Sequence, residues 1–305
     1  INNWNCSISS SRRNRWILYS TNYGLTYSET PQATYRGWHS ICGSTAGDVI
    51  WMFSNDYVSG GSEVIYNTIA YTIDHFANIT YQTGGNTTGF FGGHNNYIPN
   101  IRCTGDGKTI VATEHGPSGW AYLRIPQIFI GRNYGTQWSV VILSYEYGIT
   151  YGLAMSADGK YIYVAVDGTS WDARPNTGTG GVWRSMDYGA TFTQIFNSAT
   201  KVYHVECDAT GQIVMMSDSP SWARISWNYG DNWHFPGNAA GIDSIWTTAI
   251  SASGAIIWAG YYYGGFIWSL DYGKTWSPYG SVVPIGNWSA FGTSCIACNN
   301  DGSIV

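Results

Sequence analysis

The chain alternates between short apolar runs and small turns rich in glycine, aspartate and serine. The alternation is clearest in segments 100–116, 152–168, 204–219 and 248–262, each with an apolar run, a small turn and a second apolar run. Runs of this length between such turns are typical of β-strands, and no stretch has a convincing helical period. Each segment therefore predicts an antiparallel pair of strands, which we call A and B.

A second motif recurs after these pairs. Its clearest copy is SLDYGKTW (269–276), which sets a serine, an aspartate, a glycine and an aromatic residue at close spacing. The related segments are STNYGLTY (20–27), GRNYGTQW (131–138), SMDYGATF (185–192) and SWNYGDNW (226–233). A degenerate copy, DHFANITY, occupies 74–81, and Asn78 is expected to take the place of the glycine because asparagine tolerates the left-handed conformation. Each copy predicts a hairpin between two further strands, C and D.

The spacing of these hairpins predicts the fold. Successive turn residues are 54, 57, 54, 41 and 43 residues apart, and four-stranded repeats of this length are typical of β-propellers. We expect one domain, 1–305, that is an all-β, six-bladed β-propeller with four-stranded antiparallel blades. One blade is expected to be shared between the N- and C-termini, with segment 294–305 supplying strand A and the start of strand B.

The predicted junction between the two ends falls inside one strand. Either the ends abut in a split strand, or the chain is one unit of a longer or polymeric protein, and both arrangements stay open. The chain begins at Ile1 without a methionine, which we interpret as a mature or trimmed form.

The hairpin motif resembles the Asp-box, also called the BNR repeat, with the pattern Ser-x-Asp-x-Gly-x-Thr-Trp. SLDYGKTW matches every fixed position, and SMDYGATF lacks only the tryptophan. In that family the box joins the outer strands of a blade: the Asp or Asn side chain accepts hydrogen bonds from turn N–H groups and the glycine takes a positive φ. The resemblance implies structural turns at Asn22, Gly24, Asn78, Asn133, Gly135, Asp187, Gly189, Asn228, Gly230, Asp271 and Gly273. Asp-box families include sialidases, sortilin-type receptors, glucanases, photosystem assembly factors and lectins, so the fold does not name the function.

Composition narrows the expected partners. Only 11% of the residues are charged and the net charge is −5, which argues against nucleic acid as a partner. No apolar run reaches the roughly 18 residues that span a bilayer. Glycosylation sequons stand at Asn5, Asn78, Asn86 and Asn287. With few lysines and many aromatic residues, they favour an N-glycosylated protein that is extracellular or at the cell surface.

The cysteines and histidines predict neither a metal site nor a cofactor. The six histidines are scattered, and the aspartate-glycine turns at 105–107 and 157–159 are read as strand connections. Six cysteines would permit three disulfides. However, Cys42, Cys103, Cys207 and Cys298 fall at equivalent places late in strand A, where buried thiols are expected. A bridge that involves Cys6, near the closing blade, stays open as an alternative.

Candidate ligand residues lie on the face formed by the B–C and D–A loops, opposite the box hairpins. Aromatic rings beside polar groups suit a sugar, since the ring stacks on the apolar sugar face and the polar groups bind hydroxyls. The candidates are Trp38, His39, Trp171, Asp172, Arg174, Asp218, Trp222 and Tyr262.

A catalytic constellation is not visible in the sequence. A sialidase needs an arginine triad, a Tyr–Glu pair and an aspartate, and Arg124 of the LRIP segment lies too close to its box to match that family's first arginine. We therefore expect a non-catalytic structural or interaction module, for example a subunit of a surface or filamentous assembly, whose partners are copies of itself or an extracellular protein or glycan. A glycan-binding lectin and a sialidase-like glycoside hydrolase are the alternatives.

Overall fold

The computed structural model describes residues 17–19, 26–29, 38–58, 64–74, 76–82, 100–114, 125–146, 148–168, 180–198, 201–218, 222–236, 245–261, 266–278 and 296–303. The regular elements of these residues are β-strands, as the alternation of apolar runs and turns predicts. A two-stranded ribbon comes first, in which β1 (Leu18–Tyr19) pairs with β2 (Ser28–Glu29).

Five antiparallel sheets follow in chain order, and we call them blades 1 to 5. Blade 1 is β3 (Trp38–Gly43), β4 (Ile50–Val58), β5 (Val64–Thr72) and β6 (Thr80–Tyr81). Blade 2 is β7 (Ile101–Cys103), β8 (Ile110–Glu114), β9 (Gln127–Arg132) and β10 (Gln137–Ile142). Blade 3 is β11 (Ile149–Met155), β12 (Ile162–Asp167), β13 (Gly181–Ser185) and β14 (Thr193–Asn197). Blade 4 is β15 (Val202–Cys207), β16 (Val214–Asp218) and β17 (Trp222–Ser226), and blade 5 is β18 (Ile245–Ile250), β19 (Ile257–Tyr261), β20 (Phe266–Ser269) and β21 (Ser277–Pro278).

The prediction of six blades is wrong: the described residues form five blades of three or four strands. Hairpin motifs overstate the number of blades, because a hairpin requires only the two strands beside it. The first motif has just the two-residue ladder of β1 and β2 at its ends. Ile17 packs on blade 1 against Trp38 and Met52, and Ile296 packs on blade 5 beside Trp258, but these end segments build no further blade within the described residues.

The blades are arranged as in a propeller, with the first strand of each blade beside the first strand of the next. Hydrophobic clusters fill each seam; for example, Cys42 and Phe53 of blade 1 meet Ile101 and Phe129 of blade 2. The first strands therefore surround the axis, and the last strands form the periphery.

A belt of backbone hydrogen bonds links the A–B turns around the axis. The second residue of each turn donates its N–H to the carbonyl of the equivalent residue in the next turn. The donor and acceptor pairs are Thr45–Gly105 (2.8 Å), Gly105–Ala157 (2.7 Å), Ala157–Ala209 (2.8 Å), Ala209–Ala252 (3.1 Å) and Ala252–Asn300 (2.8 Å). Small side chains at these positions allow the close approach: a Cβ on Gly105 would lie 2.8 Å from Thr45 Oγ1.

The box hairpins of blades 3 and 5 share one hydrogen-bond pattern. In blade 5, Gly273 N–H donates to Ser269 Oγ at 2.8 Å, and Asp271 Oδ1 accepts from Thr275 N–H at 2.8 Å. Asp187 of blade 3 accepts equivalent bonds, and these, chiefly the one from the Thr191 side chain, lower the pKa of Asp187 to about 2. In blade 4, Asn228 Oδ1 accepts from the turn in the same way, at 3.1 Å.

Two hairpins differ from their sequence interpretation. In blade 1 the motif starts at Thr72 instead of Asp74, because Phe76 N–H donates to Thr72 Oγ1 at 3.1 Å, as Gly273 does to its serine. Phe76, with φ 69°, therefore holds the glycine position, and Asn78 holds the threonine position. In blade 2, Asn133 itself has φ 49° in a tighter turn between β9 and β10, and its side chain accepts no bond from the described turn.

The boxes of blades 2 to 5 are also tied to neighbouring structure by backbone groups. The tyrosine before the glycine donates its N–H to the A–B turn of its own blade, as Tyr188 does to Lys160 O at 3.2 Å. Its carbonyl accepts a hydrogen bond from a side chain of the preceding blade. The pairs are Gln82–Tyr134 (3.0 Å), Arg132–Tyr188 (3.0 Å), Arg184–Tyr229 (2.6 Å) and Trp227–Tyr272 (2.6 Å).

Candidate functional site

The first strands carry a β-bulge at the same place in four blades. The register shifts by one residue between Trp38 and Ser40, Thr150 and Gly152, Val202 and His204, and Ile245 and Thr247. The extra residues are His39, Tyr151, Tyr203 and Trp246, all with aromatic rings. Bulges re-aim side chains at sheet edges and at ligand sites. This repeat lies at the loop end of the central strands.

Tyr151 and Tyr203 form an aromatic pair across the seam between blades 3 and 4. Their ring centroids are 5.6 Å apart in an edge-to-face arrangement, a favourable geometry for aromatic rings. Both side chains are half-buried. They therefore present ring surface to solvent at the inner end of the loop face, and we call this region the channel mouth.

Below the bulges, polar groups join successive central strands. Ser40 Oγ accepts from Ile101 N–H at 3.3 Å, and Asn100 Nδ2 donates to the carbonyl of Tyr151. His204 Nε2 accepts from Thr248 N–H at 3.2 Å.

The environment of His204 disfavours its charged form. Burial and the nearby Arg102 lower the pKa of His204 to about 4, so the imidazole is neutral near pH 7. In blade 3, Gly152 occupies the position of His204 and brings the two strands together. A Cβ on Gly152 would lie 2.8 Å from Val205 N.

A buried ion pair lies beneath these groups, on the side of the A–B turns, and we call it the floor of the channel mouth. Arg102 of blade 2 donates from Nη2 to Glu206 Oε2 of blade 4 at 3.0 Å, and both side chains are 5% exposed. The equivalent residue of the intervening blade is Ala154, whose small side chain leaves room for the pair. Burial alone would lower the pKa of Arg102, but Glu206 raises it. Burial raises the pKa of Glu206, although Arg102 acts in the opposite direction.

Four buried free thiols lie near this floor, as expected from their place late in strand A. They are not fully equivalent, however. Cys42 pairs with Trp51, so its register position is that of Arg102, and Cys103 pairs with Ile110 one residue closer to the turn. Burial raises the pKa of the Cys42 thiol well above its ordinary value, which makes it a poor nucleophile.

Two ion pairs lie at the loop ends of blades 3 and 4. Lys201 Nζ lies 3.3 Å from Asp167 Oδ2, and Arg224 Nε lies 3.4 Å from Asp218 Oδ2. The Arg224 guanidinium is also 5.1 Å from the ring centroid of Phe196 and 4.5 Å from that of Phe235. Cation–π contacts hold this arginine against its carboxylate.

The candidate ligand residues of the sequence do not form one cluster among the described residues. Trp38 is 6% exposed and packs in the core of blade 1, so it is a core residue. Asp218 is buried beside Arg224. The backbones of His39 and Trp222 lie in β3 and β17. The other ligand candidates lie outside the described residues: Trp171, Asp172, Arg174 and Tyr262. So do the turn residues Asn22 and Gly24 and the glycosylation sequons at Asn5, Asn86 and Asn287.

Several other expectations bear on described residues. Asn78 is exposed, and its Nδ2 donates to Asp74 Oδ2 at 2.7 Å. The described part of the chain contains no group of three or more His, Cys, Asp or Glu side chains placed to hold a metal ion. Nor does it contain a helix long and apolar enough to cross a membrane.

The sequence interpretation missed Tyr151, Tyr203 and the Arg102–Glu206 pair. The tyrosines stand inside apolar runs, where aromatic residues are read as core. The ion pair did leave a signal. Arg102 and Glu206 are charged residues inside apolar strands, each two residues before the first residue of its A–B turn, and a buried charge at one repeated position calls for a partner.

Comparison with known proteins defines the class but no family. No protein-family profile and no curated protein matches this sequence. Among solved structures, "YCF48 bound to D1 peptide" aligns with a TM-score of 0.53 and 12% identity, over 87% of this chain and 76% of that one. A GH74 enzyme from Niastella koreensis aligns with a TM-score of 0.49 and 14% identity, over 93% of this chain and 49% of that one. The five blades of this chain make it an all-β propeller, and the first of these two structures shares that fold.

Proposed function

We propose that this propeller is a non-catalytic extracellular interaction module, which binds an extended segment of a partner protein at the channel mouth. The observation that carries the proposal is the repeated bulge, which sets an aromatic residue at the inner end of four blades. The described rings among them, those of Tyr151 and Tyr203, are half-buried and keep part of their surface in solvent. Partly exposed tyrosine rings on rigid strands are common anchors of binding surfaces, because they bury much area with little loss of conformational freedom.

The floor of the mouth favours binding over catalysis. Glu206 is bound to Arg102 and shielded from solvent, and Asp167 and Asp218 are bound to Lys201 and Arg224. A glycosidase needs two accessible carboxyl groups on either side of the scissile bond. The described arginines also bind separate partners: Arg132 and Arg184 each reach a box carbonyl. They supply no convergent triad for a sialidase substrate.

A structural neighbour supports the choice of a peptide. The structure of "YCF48 bound to D1 peptide" has the same general fold, so a propeller of this kind can hold a peptide. Residence outside the cell, N-glycosylation and membership of a surface or filamentous assembly are part of the proposal. The low charge and the sequons support them.

A glycan is the second candidate ligand. Asn100 donates to the backbone carbonyl of Tyr151, and His204 follows Tyr203 in the same strand. Hydrogen-bonding side chains near aromatic residues suit a pyranose. The first proposal predicts binding to peptides in a library, and the second predicts binding to sugars on a glycan array.

The test uses the intact chain on a library of extended peptides and on a glycan array, with a panel of fluorogenic glycosides to detect hydrolysis. We expect peptide ligands whose affinity falls at least about tenfold in the Tyr151→Ala and Tyr203→Ala variants. Tyr188→Ala is the matched control, because Tyr188 is 54% exposed in the box hairpin of blade 3, on the face opposite the loops. Binding to glycans alone would favour the second candidate, and turnover of a glycoside would refute the non-catalytic proposal.

A further inference from the structure

Two of the buried thiols meet in the seam between blades 1 and 2. Cys42 is 2% exposed and Cys103 is 4% exposed, and both belong to the hydrophobic cluster of this seam. The register explains the meeting. Arg102, which holds the position of Cys42 in blade 2, points forward and reaches Glu206 of blade 4. Successive side chains of a strand point to opposite faces, so Cys103 points back toward blade 1 while Cys42 points toward blade 2.

Hydrogen bonds hold the two central strands together on either side of these cysteines. Ile101 N–H donates to Ser40 Oγ at 3.3 Å, and each of these residues stands two positions before its cysteine. Just beyond the cysteines, Thr45 N–H donates to Gly105 O at 2.8 Å. The strands are therefore fixed beside each other along the segment that carries both thiols.

The thiols themselves are in contact. Burial is the main cause that raises the pKa of Cys42, and a side-chain hydrogen bond with Cys103 raises it further. A disulfide requires two cysteines whose side chains point toward each other from closely spaced backbones. Thiols that already share a hydrogen bond can be linked with little movement of either strand.

The other two described cysteines meet alanines instead. Cys207 shares its seam cluster with Ala154 of blade 3, and Cys298 shares its cluster with Ala249 of blade 5. Both alanines stand at the register position of Cys42. Among the residues that the structure describes, the seam between blades 1 and 2 is therefore the one that brings two thiols together.

We propose that Cys42 and Cys103 are a disulfide site that links blade 1 to blade 2, oxidised by a small-molecule disulfide such as glutathione disulfide. One cysteine thiolate attacks the small disulfide, forms a mixed disulfide and displaces one glutathione thiolate. The second cysteine thiolate then attacks the protein sulfur of the mixed disulfide and displaces the other. The protein loses two protons and two electrons, and the small disulfide becomes two thiols.

Burial determines when the link can form. Both thiols are shielded from solvent, so a disulfide reagent reaches them only while the seam is open. We therefore expect the link to form during folding, before blades 1 and 2 pack together. Compartments outside the cell are oxidising, so the residence proposed above would supply the oxidant. The ligand proposed for the channel mouth plays no part in this chemistry.

The test refolds the intact chain from urea in a glutathione redox buffer, blocks the remaining thiols by alkylation and maps the disulfides by mass spectrometry. Trypsin separates the two cysteines, because Arg102 lies between them. We expect a linked pair of peptides that contain Cys42 and Cys103. Cys103→Ala should lose this link, and the matched control Cys207→Ala should keep it, because it removes a thiol at the same register position that meets an alanine.

Urea unfolding supplies a second measurement. A disulfide constrains the unfolded chain, so the unfolding equilibrium constant of the oxidised wild type should be at least about tenfold lower than that of the reduced protein. A wild-type map in which both thiols stay free, or are linked to other cysteines, would overturn the proposal. So would a Cys103→Ala protein that gains as much stability on oxidation as wild type. The buffer supplies the oxidant, so a negative map would count against this link and leave the proposed location and ligand untouched.

Discussion

Replacing Gly189 by alanine tests how tightly the box hairpins are fitted between blades. Gly189 is the box glycine of blade 3, with φ 83°. A Cβ at this position would lie 2.2 Å from Ile130 Cδ1 of blade 2 and 3.2 Å from Ile162 Cδ1. The substitution therefore adds a strained backbone conformation and a collision across the seam.

The two effects can be separated by a second glycine. Gly47, in the A–B turn of blade 1, has φ 75°, but a Cβ there would meet no atom within 4 Å. A left-handed non-glycine residue costs roughly 1–2 kcal/mol, which is the loss of unfolding free energy expected for Gly47→Ala. Overpacking adds about 1–3 kcal/mol, so Gly189→Ala should lose roughly 2–5 kcal/mol. The entropy change of the unfolded chain is the same for both variants and cancels in the comparison.

The assay is urea unfolding of both variants and the wild type, followed by tryptophan fluorescence. A third variant identifies the collision: Ile130→Val removes the δ-methyl group that the new Cβ would meet. Ile130→Val alone should lose about 0.5–1.5 kcal/mol, and the double variant with Gly189→Ala should lose less than the sum of the two. Equal losses for Gly47→Ala and Gly189→Ala, together with strict additivity of the double variant, would refute the reasoning.

Two further predictions concern the floor of the channel mouth. Arg102→Met should lower the unfolding free energy by about 3–5 kcal/mol, because it leaves the buried Glu206 carboxylate without the Arg102 guanidinium. The double variant Arg102→Met/Glu206→Leu should recover most of this loss in urea unfolding. A double variant that loses as much free energy as the two single variants together would contradict the pairing. His204 has a folded pKa of about 4 against about 6.5 unfolded, so the unfolded state binds more protons between these values and stability should fall as pH drops from about 6.5 to about 4. Melting temperatures measured over this pH range should depend less on pH in the His204→Gln variant than in the wild type. The same dependence of melting temperature on pH in both proteins would contradict the argument.

The sequence predicts the strands well and the turns only in part. Apolar runs beside short turns report local structure, and the A–B pairs of blades 2 to 5 fall where they predict. The predicted alignment of the Asp-box motif in blade 1 is wrong by two residues, between Thr72 and Asn78. The reason is that Phe76 adopts the left-handed conformation that glycine usually supplies. The surrounding hydrogen bonds impose that conformation, and a propensity argument does not include them.

The blade count and the channel mouth depend on long-range contacts. A hairpin motif needs only the two strands that it joins, so β1 and β2 can form one without a complete blade. A bulge in a central strand changes the direction of one side chain while the apolar run stays the same. For this reason Tyr151 and Tyr203 were indistinguishable from core residues in the sequence, whereas Arg102 and Glu206 were visible as charges but not as a pair.

The two ends of the propeller differ in what their backbone groups bind. At the box end, turn N–H groups and box carbonyls are engaged between blades, from Thr45 to Asn300 and at each described box tyrosine. A ligand there would have to displace bonds that hold neighbouring blades together. At the loop end, the bulges release an aromatic residue from the regular register in four of the five described blades. The proposed ligand site therefore lies at the channel mouth, where replacing a bulge side chain such as that of Tyr203 leaves these backbone bonds between blades in place.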